Sequence, residues 1–163
     1  MLVERAAQLP VSAALALHGL DEISQRELAS FAADATSQGE SLLERSRLKR
    51  PDDATPCHFG AQLGRPISRG ANIVVQLRWW NEKSRSLTPG FIGELEVRPL
   101  DDHACELIIV GQYHPRAYLY ELVDRKLLQR LANVVVSGVV EKFRDRLLAA
   151  VTDRPSEAQW IAS

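Results

Sequence analysis

The segment from about residue 119 to 151 constrains this chain more than any other. Lys126, Arg130, Asn133, Ser137, Glu141 and Arg144 recur at steps of four or three residues, which gathers them into one narrow polar stripe on a helix. Opposite lie Leu128, Leu131, Ala132, Val135, Val139 and Phe143. The middle, residues 134–140, is apolar nearly all round apart from Ser137 and Gly138, and alone its β-branched run would suit a strand. The flanks 125–132 and 141–151 are good helix formers in phase with it, so the whole segment reads as one helix. At ~1.5 Å per residue it would span roughly 50 Å, enough to cross a small domain.

Upstream the pattern is mostly β. Ile73, Val75, Leu77 and Trp79 alternate with Asn72, Val74, Gln76 and Arg78, the clearest strand in the chain. Residues 91–98 follow, with Leu95 and Val97 opposed to Glu94, Glu96 and Arg98. After an Asp101-Asp102 turn, Cys105, Leu107, Ile109, Gly111 and Tyr113 line a further face. Short links between consecutive strands predict an antiparallel meander. Before it, Phe59, Ala61 and Leu63 share one face of a weaker strand. Gly64-Arg65-Pro66 and Ser68-Arg69-Gly70 carry the turn chemistry of a hairpin. Residues 81–90 read as a polar connection ending in Pro89-Gly90.

The first third is more mixed. Val11, Ala13, Leu15 and Leu17 alternate, which predicts a strand over 11–18 broken by Gly19, although alanine favours helix. Ser24 and Glu27 form a capping box for a helix carrying Leu28, Phe31, Ala32 and Ala35. Gly39 separates it from a second short turn at 40–44. The expected architecture is α+β: a curved antiparallel sheet wrapped around the long C-terminal helix, with short helices after the first strand. One domain would cover 1–151, and 152–163 would be a tail containing Pro155 and tacked down by Trp160.

Composition excludes several classes. Hydrophobic residues make up 45% of the 163 and charged residues 25%, so a packed core is expected rather than disorder. No apolar run approaches the ~20 residues of a membrane span. Met1-Leu2-Val3-Glu4-Arg5 lacks the layout of a secretion signal, and a cytoplasmic location is the default. Twenty basic and 21 acidic residues give a net charge of -1, which argues against a nucleic-acid partner. The basic cluster at 44–50 reads as a solvated helix end or strand edge. Cys57 and Cys105 read as reduced thiols. His18, His58, His103 and His114 show no paired ligand spacing, so no metal site is expected. No G-x-S-x-G, phosphate loop or dinucleotide fingerprint is present, and neither a catalytic nucleophile nor a cofactor is expected.

The order of elements resembles the START-like helix-grip superfamily, also called SRPBCC. Val74-Val75-Gln76-Leu77-Arg78-Trp79 is similar to a strand ending in Leu-Arg-Trp in many bacterial members of unknown function. Gly93-Glu94-Leu95-Glu96-Val97 with Pro99-Leu100 is similar to the next strand, and Gly111-Gln112-Tyr113-His114-Pro115 to a Gly-x-Tyr-x-Pro segment before the final helix. Asp124-Arg125 and Arg130-x-Ala132 resemble positions in that helix. These motifs span residues 59–151; the first third matches only by order of elements. Arg116-Ala117-Tyr118-Leu119-Tyr120 departs from a pattern that often has a second Pro and glycines, so the pocket mouth is expected to differ. The resemblance implies a hydrophobic cavity between sheet and helix, and a ligand that is lipid-like or polycyclic. It does not imply an activity.

The candidate cavity residues are Leu77, Trp79, Leu95, Leu107, Ile109, Tyr113, His114, Arg116, Leu131, Val135, Gly138 and Val139. The apolar ones would fill a closed core equally well, and Gly138 suits close packing as readily as room for a ligand. The leading expectation is binding of a small hydrophobic or aromatic molecule without catalysis. A polyketide cyclase- or aromatase-like enzyme using Tyr113, His114 and Arg116 is the second. An interaction module is the third, with an apolar patch near Trp80 and a homodimer. Glu94 and Glu96 share a strand face opposite Leu95 and Val97 and are expected to be solvated.

Overall fold

The computed structural model describes residues 1–45, 58–82, 90–117 and 119–153, except for the side chain of Glu44. Most of the basic cluster, Cys57 and the tail beyond 153 lie outside the described residues. The chain runs β1 (Leu2–Leu9), α1 (Ala13–Asp21), α2 (Gln25–Arg45), β2 (Phe59–Leu63), β3 (Ile67–Arg69), β4 (Asn72–Asn81), β5 (Phe91–Asp101), β6 (Ala104–Tyr113), α3 (Leu119–Leu122) and α4 (Arg125–Thr152). One curved antiparallel sheet has the order β1-β6-β5-β4-β2, with β3 also paired to β4. It holds α4 in the arrangement called a helix grip, as the sequence predicts.

The alternating residues put one apolar face inside. Three-residue rows cross β4, β5 and β6: Ile73–Val97–Leu107, Val75–Leu95–Ile109, Leu77–Gly93–Gly111 and Trp79–Phe91–Tyr113. Gly93 and Gly111 face each other so closely that a Cβ on either would strike the backbone of the other, and the tip of the Phe91 ring closes over both. The outer face mixes charged residues with Val74, Ile92, Ile108 and Val110. Glu94 takes both guanidinium nitrogens of Arg69 at 3.0 and 3.1 Å, and Glu96 accepts from Asn72.

Three elements differ from the sequence reading. Residues 11–18 do not form a strand. The Ser12 hydroxyl accepts from the Leu15 amide and caps α1, so alanine propensity and a cap outweigh a short alternation. The first strand is β1, which turns Val3 and Leu9 inward and pairs with β6. Second, α2 runs unbroken through Gly39 for 21 residues. A Cβ there would lie 2.8 Å from Leu131 Cδ1 and Val135 Cγ2, so the missing side chain lets two helices approach. Third, the C-terminal helix starts at Arg125. Asp124 accepts from the Leu127 amide at 2.8 Å and caps it, leaving 119–122 as a separate turn.

Helix α2 runs antiparallel to α4. Contacts step in opposite directions along the pair: Glu27 with Arg146, Asp34 with Lys142, and Gly39 with Leu131. Phe31 meets Phe143 edge-on at 5.4 Å between Glu27 and Asp34 on this seam. On its other sides α4 packs against β1 and β6, while α2 reaches across to β2. The polar stripe is as read from the sequence, with Lys126, Arg130, Glu141 and Arg144 exposed.

Candidate functional site

The row Trp79–Phe91–Tyr113 ends the inner face of the sheet, and polar groups collect there. Trp79 and Phe91 stack at 4.4 Å with 14° between their planes. Ala61 of β2 lies opposite Trp79 and is buried, under the part of the sheet that α2 covers. Beyond Tyr113 the chain turns back: the His114 amide donates to the Gly90 carbonyl at 2.8 Å. Two residues later Arg116 Nε reaches Glu40 Oε1 of α2 at 2.9 Å. This end of the fold is therefore flanked by the second half of α2 and residues 114–116.

The helical phase explains why a carboxylate sits inside. Leu28, Phe31, Ala32, Ala35, Thr36, Gly39, Glu40 and Leu43 form the buried stripe of α2, spaced as one face of a helix requires. Glu40 is 4% exposed. A buried carboxylate is costly unless a cation and hydrogen bonds accompany it, and Arg116, itself one-fifth exposed, supplies the cation.

Two other polar atoms here are less well provided for. Thr36, one turn before Glu40 on the same face, is 4% exposed, and its hydroxyl has no hydrogen-bond partner among the described residues. The same holds for the indole nitrogen of Trp79, which is 1% exposed. A Cβ on Gly90 would lie 3.3 Å from that nitrogen, which places it beside the carbonyl-bearing residue that His114 engages. A buried donor left unpaired costs about 1–3 kcal/mol.

His114 is half-buried, and burial, with the positive N-terminus adding to it, pushes its pKa below the ordinary histidine value. The shift favours the neutral imidazole. Tyr113 is buried, and its main chain exchanges hydrogen bonds with Met1 at 2.8 and 2.9 Å.

The twelve candidates fall into three groups. Leu77, Trp79, Leu95, Leu107, Ile109 and Tyr113 share the inner face of the sheet, each at most 4% exposed. His114 and Arg116 lie in the loop at its end. Leu131 and Val135 meet Gly39 in the helix seam, and a Cβ on Gly138 would lie 3.1 Å from the Cβ of Ala35. Gly138 thus admits α2 to close range. Val139 is buried in the same core. Thr36 and Glu40 were not singled out by sequence, although polar residues four apart inside an apolar helical stripe are a readable signal. Trp80 lies on the outer face, over Gly60 and with the Arg78 guanidinium 5.4 Å from its ring. Glu94, also outside, is held below the usual carboxylate range by its hydrogen bond from Arg69. Cys105 is buried and its thiol pKa is raised by that burial. Among the described residues no cluster of three potential metal ligands occurs, and no helix is long and apolar enough to cross a membrane.

Comparison with solved structures gives the fold. A conserved protein from Geobacillus kaustophilus superposes with a TM-score of 0.50 at 9% identity, over 92% of this chain and 97% of that one. A START superfamily protein from Mycobacterium smegmatis scores 0.48 at 12% identity, over 91% and 98%. The Zhui aromatase/cyclase from Streptomyces sp. R1128 scores 0.44 at 12% identity, over 96% and 98%. No protein-family model and no curated protein matches the chain. The superposition on the Geobacillus protein agrees with a sheet gripping a long C-terminal helix, and identities this low speak to the fold alone.

Proposed function

We propose that the protein binds a small hydrophobic or aromatic molecule, without transforming it, between the inner face of the sheet and helices α2 and α4. The ligand sits at the Trp79–Tyr113 end. Leu77, Trp79 and Tyr113 form its wall, backed by Leu95, Leu107 and Ile109, while His114 and Arg116 stand at the mouth. The observation that carries this reading is a pair of buried polar atoms, Thr36 Oγ1 and Trp79 Nε1, that have no hydrogen-bond partner among the described residues and lie in a largely apolar interior. Buried polar groups are nearly always hydrogen-bonded, so each exception needs an explanation, and a bound molecule supplies one here. Binding is favoured over proton-transfer chemistry at Tyr113, His114 and Arg116 because Glu40 already engages the guanidinium.

Native mass spectrometry of protein purified from its own host tests the reading, with equilibrium dialysis against naphthalene as a defined probe. A retained small molecule, or saturable uptake of one naphthalene per chain, is expected. A chain that carries nothing and takes up no naphthalene would refute it.

A further inference from the structure

We infer that this site selects uncharged ligands bearing a hydrogen-bonding oxygen, such as a phenol or an aryl ketone, and discriminates against aromatic acids. The inference rests on the binding reading above and assigns the chemical class of the ligand.

Three features of the polar end converge on that class. The first is the engaged cation. Arg116 is the side chain an aromatic carboxylate would seek, yet its Nε lies 2.9 Å from Glu40 Oε1. A ligand carboxylate taking that position would bring a second negative charge against Glu40, and like charges at short range in a poorly hydrated site repel strongly. Glu40 has no escape, since it is held inside the buried stripe of α2. The pair thus presents a neutralised surface to whatever enters.

The second feature is the donor set. The Trp79 indole can only donate, and the Thr36 hydroxyl both donates and accepts. A ligand oxygen that accepts from the indole satisfies one orphan, and a phenol can also donate to Thr36. A bare hydrocarbon satisfies neither. The third is the wall itself: Trp79 already stacks on Phe91, so a flat aromatic body continues an arrangement of planar faces and its oxygen lies near their polar edge. Burial of His114 favours its uncharged form, which does not help to recruit an acid.

Equilibrium dialysis near neutral pH with naphthalene, naphthol and naphthoate tests this, since the three share one ring system and differ in the polar group. The unaltered protein should bind naphthol roughly tenfold more tightly than naphthalene, the affinity equivalent of one buried hydrogen bond regained, and naphthoate most weakly. Thr36→Val should shrink the preference for naphthol over naphthalene. Glu40→Gln keeps the shape of the side chain and frees Arg116, so naphthoate should gain about tenfold or more while naphthol changes little. Should Glu40→Gln fail to fold, the ranking by the unaltered protein and by Thr36→Val still decides. Naphthoate binding as tightly as naphthol, or naphthol no better than naphthalene, would overturn the inference while leaving the binding reading intact. Failure of all three probes to bind would overturn the inference, and together with no molecule retained in native mass spectrometry it would remove the binding reading as well.

Discussion

Gly39 and Gly138 stand on opposite sides of the same helix seam, and replacing each by alanine should have different consequences. In an unconstrained helix either change would stabilise by about 1 kcal/mol through propensity. At Gly39 the new methyl would lie 2.8 Å from both Leu131 Cδ1 and Val135 Cγ2, and those side chains are 2% and 0% exposed. Both would have to shift within an enclosed seam, so overpacking of about 1–3 kcal/mol opposes the propensity gain. The net expectation for Gly39→Ala is a loss of about 1 kcal/mol. At Gly138 the methyl would meet Ala35 Cβ at 3.1 Å, a contact relieved by a few tenths of an ångström, and the net change should lie between neutral and about 0.5 kcal/mol stabilising. Urea denaturation followed by circular dichroism reads both as midpoint shifts at constant slope. Gly39→Ala matching or exceeding Gly138→Ala in stability would refute the close-packed seam. Naphthalene binding should survive Gly138→Ala, because the glycine faces α2.

Three further outcomes follow from individual contacts. Asp124→Ala removes the cap of α4 and should cost about 1 kcal/mol in the same denaturation assay; no loss would mean the cap is idle. In an NMR titration Glu94 should lose its charge at lower pH than an ordinary carboxylate, so its ion pair stabilises the fold above that ordinary value and stops doing so as pH falls through the lowered one. Arg69→Ala should return the Glu94 titration to the ordinary range. His114 should titrate below the usual ~6.5. The folded chain then binds fewer protons than the unfolded one, so this contribution is complete above the ordinary value and declines as pH drops through it toward the lowered one. A His114 titrating above the ordinary value would contradict the burial.

The sheet from residue 59 onward was readable because the inner positions of β4, β5 and β6 are regularly apolar, even though Val74, Ile108 and Val110 interrupt the polar outer positions, and because turns with Gly, Pro or Asp punctuate it. β1 was not, since Glu4, Arg5, Ala6 and Ala7 offer almost no contrast between faces. Its place is decided by pairing with β6, which local sequence does not encode. Residues 11, 13, 15 and 17 mimicked a strand because a short amphipathic stretch fits both periods until the cap at Ser12 is weighed. Gly39 looked like a helix breaker because its purpose lies in another helix, ninety-odd residues away in the chain. Leu131, Val135 and Tyr113 were legible as interior, but Glu40 was not legible as part of the site. Its partner Arg116 reaches it only after the whole sheet has been laid down.

The pairing of β1 with β6 has a bearing on how the chain is made. Leu2 finds its hydrogen-bonded neighbour in Gln112, so the opening strand leaves the ribosome long before the strand it will join. Until then its unpaired edge must be kept from other chains. Assembly of the sheet therefore awaits synthesis of the chain through β6, a long-range closure of the kind that slows folding and exposes a nascent chain to aggregation.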